Sequence, residues 1–388
     1  MKPKLSGPTE KEFKTYIAMK RFYVMLVCLF ALATMSVAQN VWSVKLVSAT
    51  NPRATAPVVA AELNIHETMA LVRVAQAPIV LLEDVTRQAA EDFARRLQET
   101  GATTDLLLTI NTQTFPDADF RSFVVAIYDG DRDGRLSESE REAVRTMNAA
   151  WKSIRNLKGI GFFNRLEALN CSCNPLDTLD LSANTALKEL DCSCNPLSTL
   201  DLSANTALEK LVCTAKSFDR LDLSANTALK ELDCSGNQLT ALDLSANTAL
   251  EKVYCYHNKI SGDAMTALLA SLEDRRATSQ GLIVLFIYPE RSEGNVCTQE
   301  QTAIAMGKNW KVQALNHEQY SYEDVVSTEE AMAGYVEINE TNFPDSRFRD
   351  FVGGMYDANY DLYLSKAERE AVQNDECRLE KHQKSQRH

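Results

Sequence analysis

Leucine sets the rhythm of the middle of this chain. The word LDLSANTAL stands at 179–187, 200–208, 221–229 and 242–250, and between its copies lie LKELDCSCNPL, LEKLVCTAKSF, LKELDCSGNQL and LEKVYCYHNKI. The resulting period is 21 residues, with apolar side chains at Leu187, Leu190, Cys192 and Leu197 and their counterparts in every copy. An apolar–polar–apolar alternation such as Leu190–Asp191–Cys192 predicts a short strand, and SANT predicts a turn. One such unit cannot bury its leucines alone, so the units must stack and share a core.

The flanks carry different patterns. VWSVKLV (41–47) and TTDLLLTI (103–110) predict strands, while ETMALVRVAQ and TRQAAEDFARRLQETG predict helices, the second capped by Thr86 and stopped by Gly101. After the repeats, AMTALLASL and TQEQTAIAMGK predict helices, and GLIVLFIY and WKVQAL predict strands. The fold class expected is α/β: a solenoid of 21-residue repeats between a small α/β N-terminal domain and two helical units. The expected divisions are a leader at 1–38, the α/β domain at 39–108, a cap at 109–160, repeats at 161–262, a second cap at 263–318, and a final unit with its tail at 319–388.

The consensus L-x-x-L-x-C-x-x-N-x-L-x-x-L-D-L-S-A-N-T-A is that of a leucine-rich repeat. Cys171, Cys192, Cys213, Cys234 and Cys255 recur with the period, so they read as a buried thiol ladder rather than a disulfide framework. Asn174, Asn195, Asn237 and Asn258 form an asparagine ladder that would satisfy turn backbone groups. The third coil is irregular, with Lys216 in place of asparagine and Phe218 in place of leucine. Cys173 and Cys194 lie off the core ladder as an isolated pair open to oxidation. The strand pairs Lys188–Glu189, Glu209–Lys210, Lys230–Glu231 and Glu251–Lys252 alternate in sign from coil to coil, which predicts stacked opposite charges. Left over on that face are Asp191, Asp233, Tyr254, Tyr256 and His257, the candidate ligand-binding residues; the two tyrosines serve equally as a cover for the solenoid's end.

Asp129 to Glu140 fits the twelve-residue loop of an EF-hand. Oxygen donors fall at Asp129, Asp131, Asp133, Ser137 and Glu140, with the Arg135 carbonyl at the seventh place and Gly134 at the sharp turn. Six to eight oxygens at this spacing suit calcium, the expected cofactor. Ser137 and Glu140 also spell a helix capping box, which needs no metal. A second copy, offset by 228 residues, offers Asp357, Asn359, Asp361, Tyr363, Ser365 and Glu368, with Leu362 where the glycine should be, and is the weaker candidate.

Met19-Lys20-Arg21, an apolar run and Ser36-Val37-Ala38 read as a signal peptide cleaved before Gln39, with Met19 as the expected start and no membrane span after cleavage. Localisation is then secreted or cell-surface. A net charge of −12 argues against a nucleic-acid partner. No G-x-S-x-G, H-E-x-x-H or phosphate loop occurs, so no enzyme is expected.

Two resemblances emerge from these words. LVRVAQAPIVLLEDVTRQAAEDFARRLQETGA resembles the C-terminal domain of the bacterial ribosomal stalk protein, sharing Leu71-Val72, Ala77-Pro78, Glu83, Val85, Ala90-Glu91, Leu97 and Gly101-Ala102. That family binds translation factors through a lysine-bearing helix; here Pro52, Arg53, Pro57 and Val58 stand in that region, so only the fold is implied. Across about 109–375, FPDADFRSFV, the EF-type loop, LKGIGFF, the repeats and GDAMTALLASL…EGNVCTQEQTAIAMGKNWKV resemble internalin-like leucine-rich-repeat proteins secreted by anaerobic oral and gut bacteria. The resemblance implies adhesion, with a protein or glycan on host or neighbouring cells as partner. The alternative is a calcium-dependent envelope spacer without a specific ligand. The tail AVQNDECRLEKHQKSQRH departs from that pattern by carrying no repeat, which points to a truncation or frame change.

Overall fold

The computed structural model describes residues 41–214, 218–288, 294–316 and 321–324, and the short strands 336–337 and 363–364. The segment read as a signal peptide and all of the second expected EF-type loop except the backbone of Tyr363 and Leu364 lie outside the described residues. The chain forms two compact units that divide after Glu142.

In the first unit the order is β1 (Trp42–Ala49), α1 (Pro52–Leu63), α2 (Glu67–Ala75), β2 (Ile79–Val85), α3 (Arg87–Gln98) and β3 (Ala102–Thr109), then α4 (Ala118–Tyr128), β4 (Arg135–Leu136) and α5 (Glu138–Ala143). The strands form one antiparallel sheet in the order β2-β1-β3-β4. Val44 and Leu46 of β1 meet Ala90, Phe93 and Leu97 of α3 in a core from which water is excluded. The Thr86 hydroxyl caps α3 by accepting the Ala89 N–H at 3.2 Å. Trp42 lies between two guanidiniums, Arg141 at 4.9 Å and Arg87 at 5.5 Å from its ring centre. Helix α1, for which the sequence pattern gave no expectation, starts at Pro52 behind an Asn51 cap.

The second unit is a solenoid. Its sheet begins one coil ahead of the obvious repeats, at β5 (Thr146–Asn148), and continues through β6 (Ala168–Asn170), β7 (Glu189–Asp191), β8 (Lys210–Val212), β9 (Glu231–Asp233) and β10 (Lys252–Tyr254). Two longer strands, β11 (Gly281–Tyr288) and β12 (Trp310–Asn316), extend it in parallel, and β13 (Ser321–Asp324) closes it antiparallel. Helices α6 (Gly262–Ser271) and α7 (Gln299–Gly307) form the connections between these last parallel strands. All four elements expected after the repeats are present within a residue or two of their expected bounds.

The repeat letters translate directly into layers. Leu187, Leu190, Cys192, Leu197 and Leu202 are all fully buried, as are their equivalents in the neighbouring coils. Each full leucine burial is worth about 1.5–3 kcal/mol. Phe218, in its leucine column, is buried as well. Burial pushes the thiols of Cys171, Cys192, Cys213 and Cys234 up, to about 12 at Cys192, which keeps them neutral and makes them small apolar side chains.

Polar side chains close each coil. The Asn195 amide donates to the carbonyls of Cys171 and Cys192 at 3.0 Å each, while its oxygen accepts the Leu176 N–H at 3.1 Å. Asn237 and Asn258 repeat the pattern one coil apart. Asn295 carries it into the cap, bonding the Cys255 and Leu285 carbonyls and the Ile260 N–H. Gly294 beside it is required, because a Cβ there would stand 2.3 Å from the Asn258 carbonyl oxygen. A second ladder, Asn184, Asn205, Asn226 and Asn247, donates to two carbonyls of the preceding coil at each step. Its Oδ1 atoms accept no hydrogen from the protein, so each rung returns less than a fully paired one.

The first ladder lacks one rung, at Lys216. Restoring it with Lys216→Asn is expected to raise stability by about 1 kcal/mol, whereas Asn195→Ala should cost about 1–3 kcal/mol by orphaning buried carbonyls. Urea unfolding of both variants checks this; an unchanged midpoint for Lys216→Asn would count against the missing-rung account.

Candidate functional site

Two places concentrate functional side chains, one in each unit. In the first, α4 delivers the chain into the loop 129–140. Asp117 starts this helix by accepting the Phe120 N–H at 2.8 Å, and Phe115 packs edge-on against Phe120 with ring centres 5.6 Å apart. The loop then folds on its own acids. Asp129, which is buried, accepts the N–H groups of Asp133 and Gly134 at 3.1 Å each, and Asp133 accepts that of Arg135 at 2.8 Å. Gly134 has φ +79°, the left-handed turn that a side chain would strain.

One oxygen from each of Asp129, Asp131 and Asp133 lies within 4.8 Å of the others. The Asp133 carboxyl is raised by its burial; the Arg135 N–H opposes this, and the charges of Asp131 and Asp129 add to it. Ser137 and Glu140 form the expected capping box: the Glu140 carboxylate accepts the Ser137 N–H at 2.8 Å and the Glu140 N–H reaches the Ser137 hydroxyl at 3.2 Å. Its other oxygen accepts the Gly130 N–H at 2.7 Å and so ties the two ends of the loop together. Arg135 adds an ion pair to Glu83 at 3.3 Å, and β4 pairs with the end of β3, Leu108 opposite Leu136. The loop is thus anchored to the sheet of its own unit. The backbone of the second copy repeats this register, with β14 (Val336–Glu337) set against β15 (Tyr363–Leu364). Asp357, Asn359, Asp361, Ser365 and Glu368 lie outside the described residues.

In the second unit the strands present two side-chain rows on the outer face of the sheet. One row runs Ala168, Glu189, Lys210, Glu231, Lys252; the other runs Asn170, Asp191, Val212, Asp233, Tyr254. A third column of charge precedes the strands. Lys188 reaches Glu167 at 2.8 Å, Lys230 reaches Glu209 at 2.5 Å, and within the strand row Lys210 reaches Glu231 at 3.0 Å. Opposite charges do stack between coils, and the two columns alternate out of phase, so the charges of these two columns largely cancel. Over the first coils the face hollows into a groove of about 400 Å³ lined by Asn148, Asn170, Asp191, Lys210 and Val212 among others.

The candidate acids are held in place. Asp191 accepts both the backbone N–H, at 3.0 Å, and the hydroxyl of Ser193; Asp233 does the same with Ser235 at 3.0 and 2.6 Å. Asn170 makes the identical pair of bonds to Ser172. These side chains therefore shape the loop after each strand as well as lining the face. Tyr254 stands at the far end of its row, its ring 6.0 Å from that of Tyr322 on β13. Tyr256 and His257 come after β10, His257 with φ +57°.

Two aromatics here are not marked by the sequence pattern. Tyr322 is 48% exposed and completes the pair with Tyr254. Trp151 is 78% exposed, and its φ of +58° matches Cys173, Cys194, Gly236 and His257, one column of left-handed residues along the edge of the sheet. Aligning MNAAWKSI with LNCSCNPL would have revealed this extra coil and its tryptophan.

Asp233 shows what burial costs. Its carboxyl is raised by desolvation, with the bonds from Ser235 opposing and the charges of Glu231 and Asp191 adding. A carboxyl raised in the folded state binds its proton more tightly there than when unfolded, so ionising it removes stability as pH rises through the carboxylate range. Asp233→Asn, which copies Asn170, should therefore melt higher than wild type at pH 7. The gap should close as pH falls below about 3.9, where the aspartate is protonated in both states. Thermal melts of both proteins across pH measure it; equal melting at pH 7 would contradict the assignment.

No family model and no curated protein matches this chain. Solved structures do. The functional domain of InlJ from Listeria monocytogenes, a structure that includes a cysteine ladder, is 30% identical over 50% of this chain and 39% of its own, with a TM-score of 0.40. The internalin inlF of the same species is 21% identical over 53% and 66%, with a TM-score of 0.41. Its internalin C2 is 17% identical over 53% and 85%, with a TM-score of 0.42. The chain thus spans less than two thirds of the first two, and its similarity is to leucine-rich-repeat structures of the internalin kind.

Proposed function

We propose that this chain is a secreted or surface-exposed leucine-rich-repeat binding protein, whose sheet face takes up a protein or glycan on host or neighbouring cells. The observation that carries this reading is the way the face is spent. Its lysines and glutamates pair between coils, its aspartates are tied to their own loops, and its aromatics are Tyr254 and Tyr322, with Tyr256, His257 and Trp151 in the loops after the strands. Tyrosines of this kind are the side chains that dominate binding energy at interfaces. No helix among the described residues is long and apolar enough to cross a membrane. A double Tyr254→Ala, Tyr256→Ala variant is expected to weaken adhesion to cells or immobilised glycans by about tenfold or more, at an unchanged melting temperature. Lys188→Ala, which removes one member of a self-cancelling pair, should leave adhesion near wild type. Full adhesion by the tyrosine variant would remove the face from the reading.

Calcium belongs to the same proposal. Asp129, Asp131, Asp133, the Arg135 carbonyl, Ser137 and Glu140 would hold it, and the ion would offset the mutual repulsion of three crowded carboxylates. Arg132 and Arg135 dilute the local negative charge, which suits the weak affinities of extracellular modules, about 0.1–1 mM. Millimolar calcium should raise the melting temperature of the wild type, and Glu140→Gln should abolish the rise. A wild type indifferent to calcium would leave the loop as a capped helix start.

A further inference from the structure

The cysteines of the solenoid fall into two chemical classes. Cys171, Cys192, Cys213, Cys234 and Cys255 point inward and are fully buried. Cys173 and Cys194 sit two residues beyond their ladder neighbours; Cys173 is half-buried and Cys194 is exposed. The parallel ladder of β6 and β7 runs on past the strand ends, because Cys171 donates its N–H to the Asp191 carbonyl at 2.8 Å and Cys173 to that of Ser193 at 2.9 Å. This pattern sets Cys173 directly across from Cys194. Both residues are left-handed, φ +53° and +56°, so their side chains leave the backbone in the same sense. Adjacent strands stand about 4.8 Å apart, inside the Cα separation of about 4.4–6.8 Å that a disulfide spans. Cys173 and Cys194 are thus the same column position in successive coils, and both are free thiols. In the next described coil the column holds Gly236, so the thiol pair belongs to these two coils alone among the described residues.

We propose that Cys173 and Cys194 are a modification site that closes to a disulfide, stapling two successive coils at the edge of the sheet. The oxidant is a small disulfide, or the disulfide of a thiol oxidase. The thiolate of exposed Cys194 attacks one sulfur of that disulfide; the S–S bond breaks, a mixed disulfide forms on Cys194, and the first thiol leaves. Cys173, across from it in the register, loses its proton to solvent and attacks the Cys194 sulfur, releasing the second thiol. In sum one disulfide is reduced to two thiols, and two cysteine thiols are oxidised to one disulfide. The buried ladder stays reduced because no thiolate forms there and no oxidant reaches it. The staple does not depend on what the sheet face binds.

Oxidised glutathione added to the reduced full-length chain, then native alkylation and mass spectrometry, tests this. The chain is expected to lose two hydrogen masses, and the tryptic peptides 166–188 and 189–210 should stay joined until reduced. Cys173→Ser should instead hold a single glutathione on Cys194, and Cys194→Ser should give no joined peptides. Peptides still joined in Cys194→Ser would place the link on the buried Cys192 and overturn the proposal. A wild type in which Cys173 and Cys194 both stay alkylatable, or carry only glutathione adducts, would overturn it too.

Discussion

Everything in the repeat unit depends on the backbone of a coil being closed without water. A 21-residue turn made of three-residue strands and tight bends leaves most of its peptide groups outside any regular ladder, and the leucines beneath forbid solvent. The asparagine amide resolves this. Placed at one point in every repeat coil but the third, it bonds two carbonyls with its nitrogen and an N–H of the preceding coil with its oxygen. The leucine core is therefore conditional on a polar residue, and the coils are coupled through hydrogen bonds as well as through burial.

That coupling explains how the face can be shaped so finely. Strands locked in register hold equivalent side chains in straight rows, so a choice at one repeat position is felt by its neighbours one coil away. Alternating lysine and glutamate is then tolerable because each charge meets its opposite, and the aspartates of the neighbouring row are each turned onto their own serine. Such exposed pairs contribute little singly. Their effect is to leave those columns electrically quiet and to let a few aromatics determine what the face attracts.

The repeats were legible in the sequence because periodicity repeats the same physical argument in every copy. The strands, the inward cysteines and the asparagine ladder are all dictated by local spacing. The coil at Thr146 was not, because it spells its positions with Met147, Ala149 and Ile154 instead of leucine and cysteine, and an offset of 22 residues hid it. The second asparagine ladder is hidden in the sequence because Asn184 and its equivalents look like ordinary turn residues until the neighbouring coil supplies their partners. The pairing of Tyr254 with Tyr322 depends on a strand that returns from beyond the cap, a long-range contact that spacing does not encode. The loop at Asp129 was legible as a set of converging acids, while its attachment to β3 through β4 is a tertiary fact.

The antiparallel β13 has a consequence of its own. A stack of identical parallel strands ends in a row of open peptide groups, and another chain's first coil would fit that row as well as a further repeat would. Reversing the last strand breaks the pattern: Gln313 faces Asp324, and Asn316 faces Ser321, so the edge that β13 presents no longer has the direction or spacing of a coil. Asp324 also pairs with Lys311 and Gln313, placing charge on the outermost strand. Among the described residues, then, the parallel stack ends on a strand whose direction a further coil could not continue.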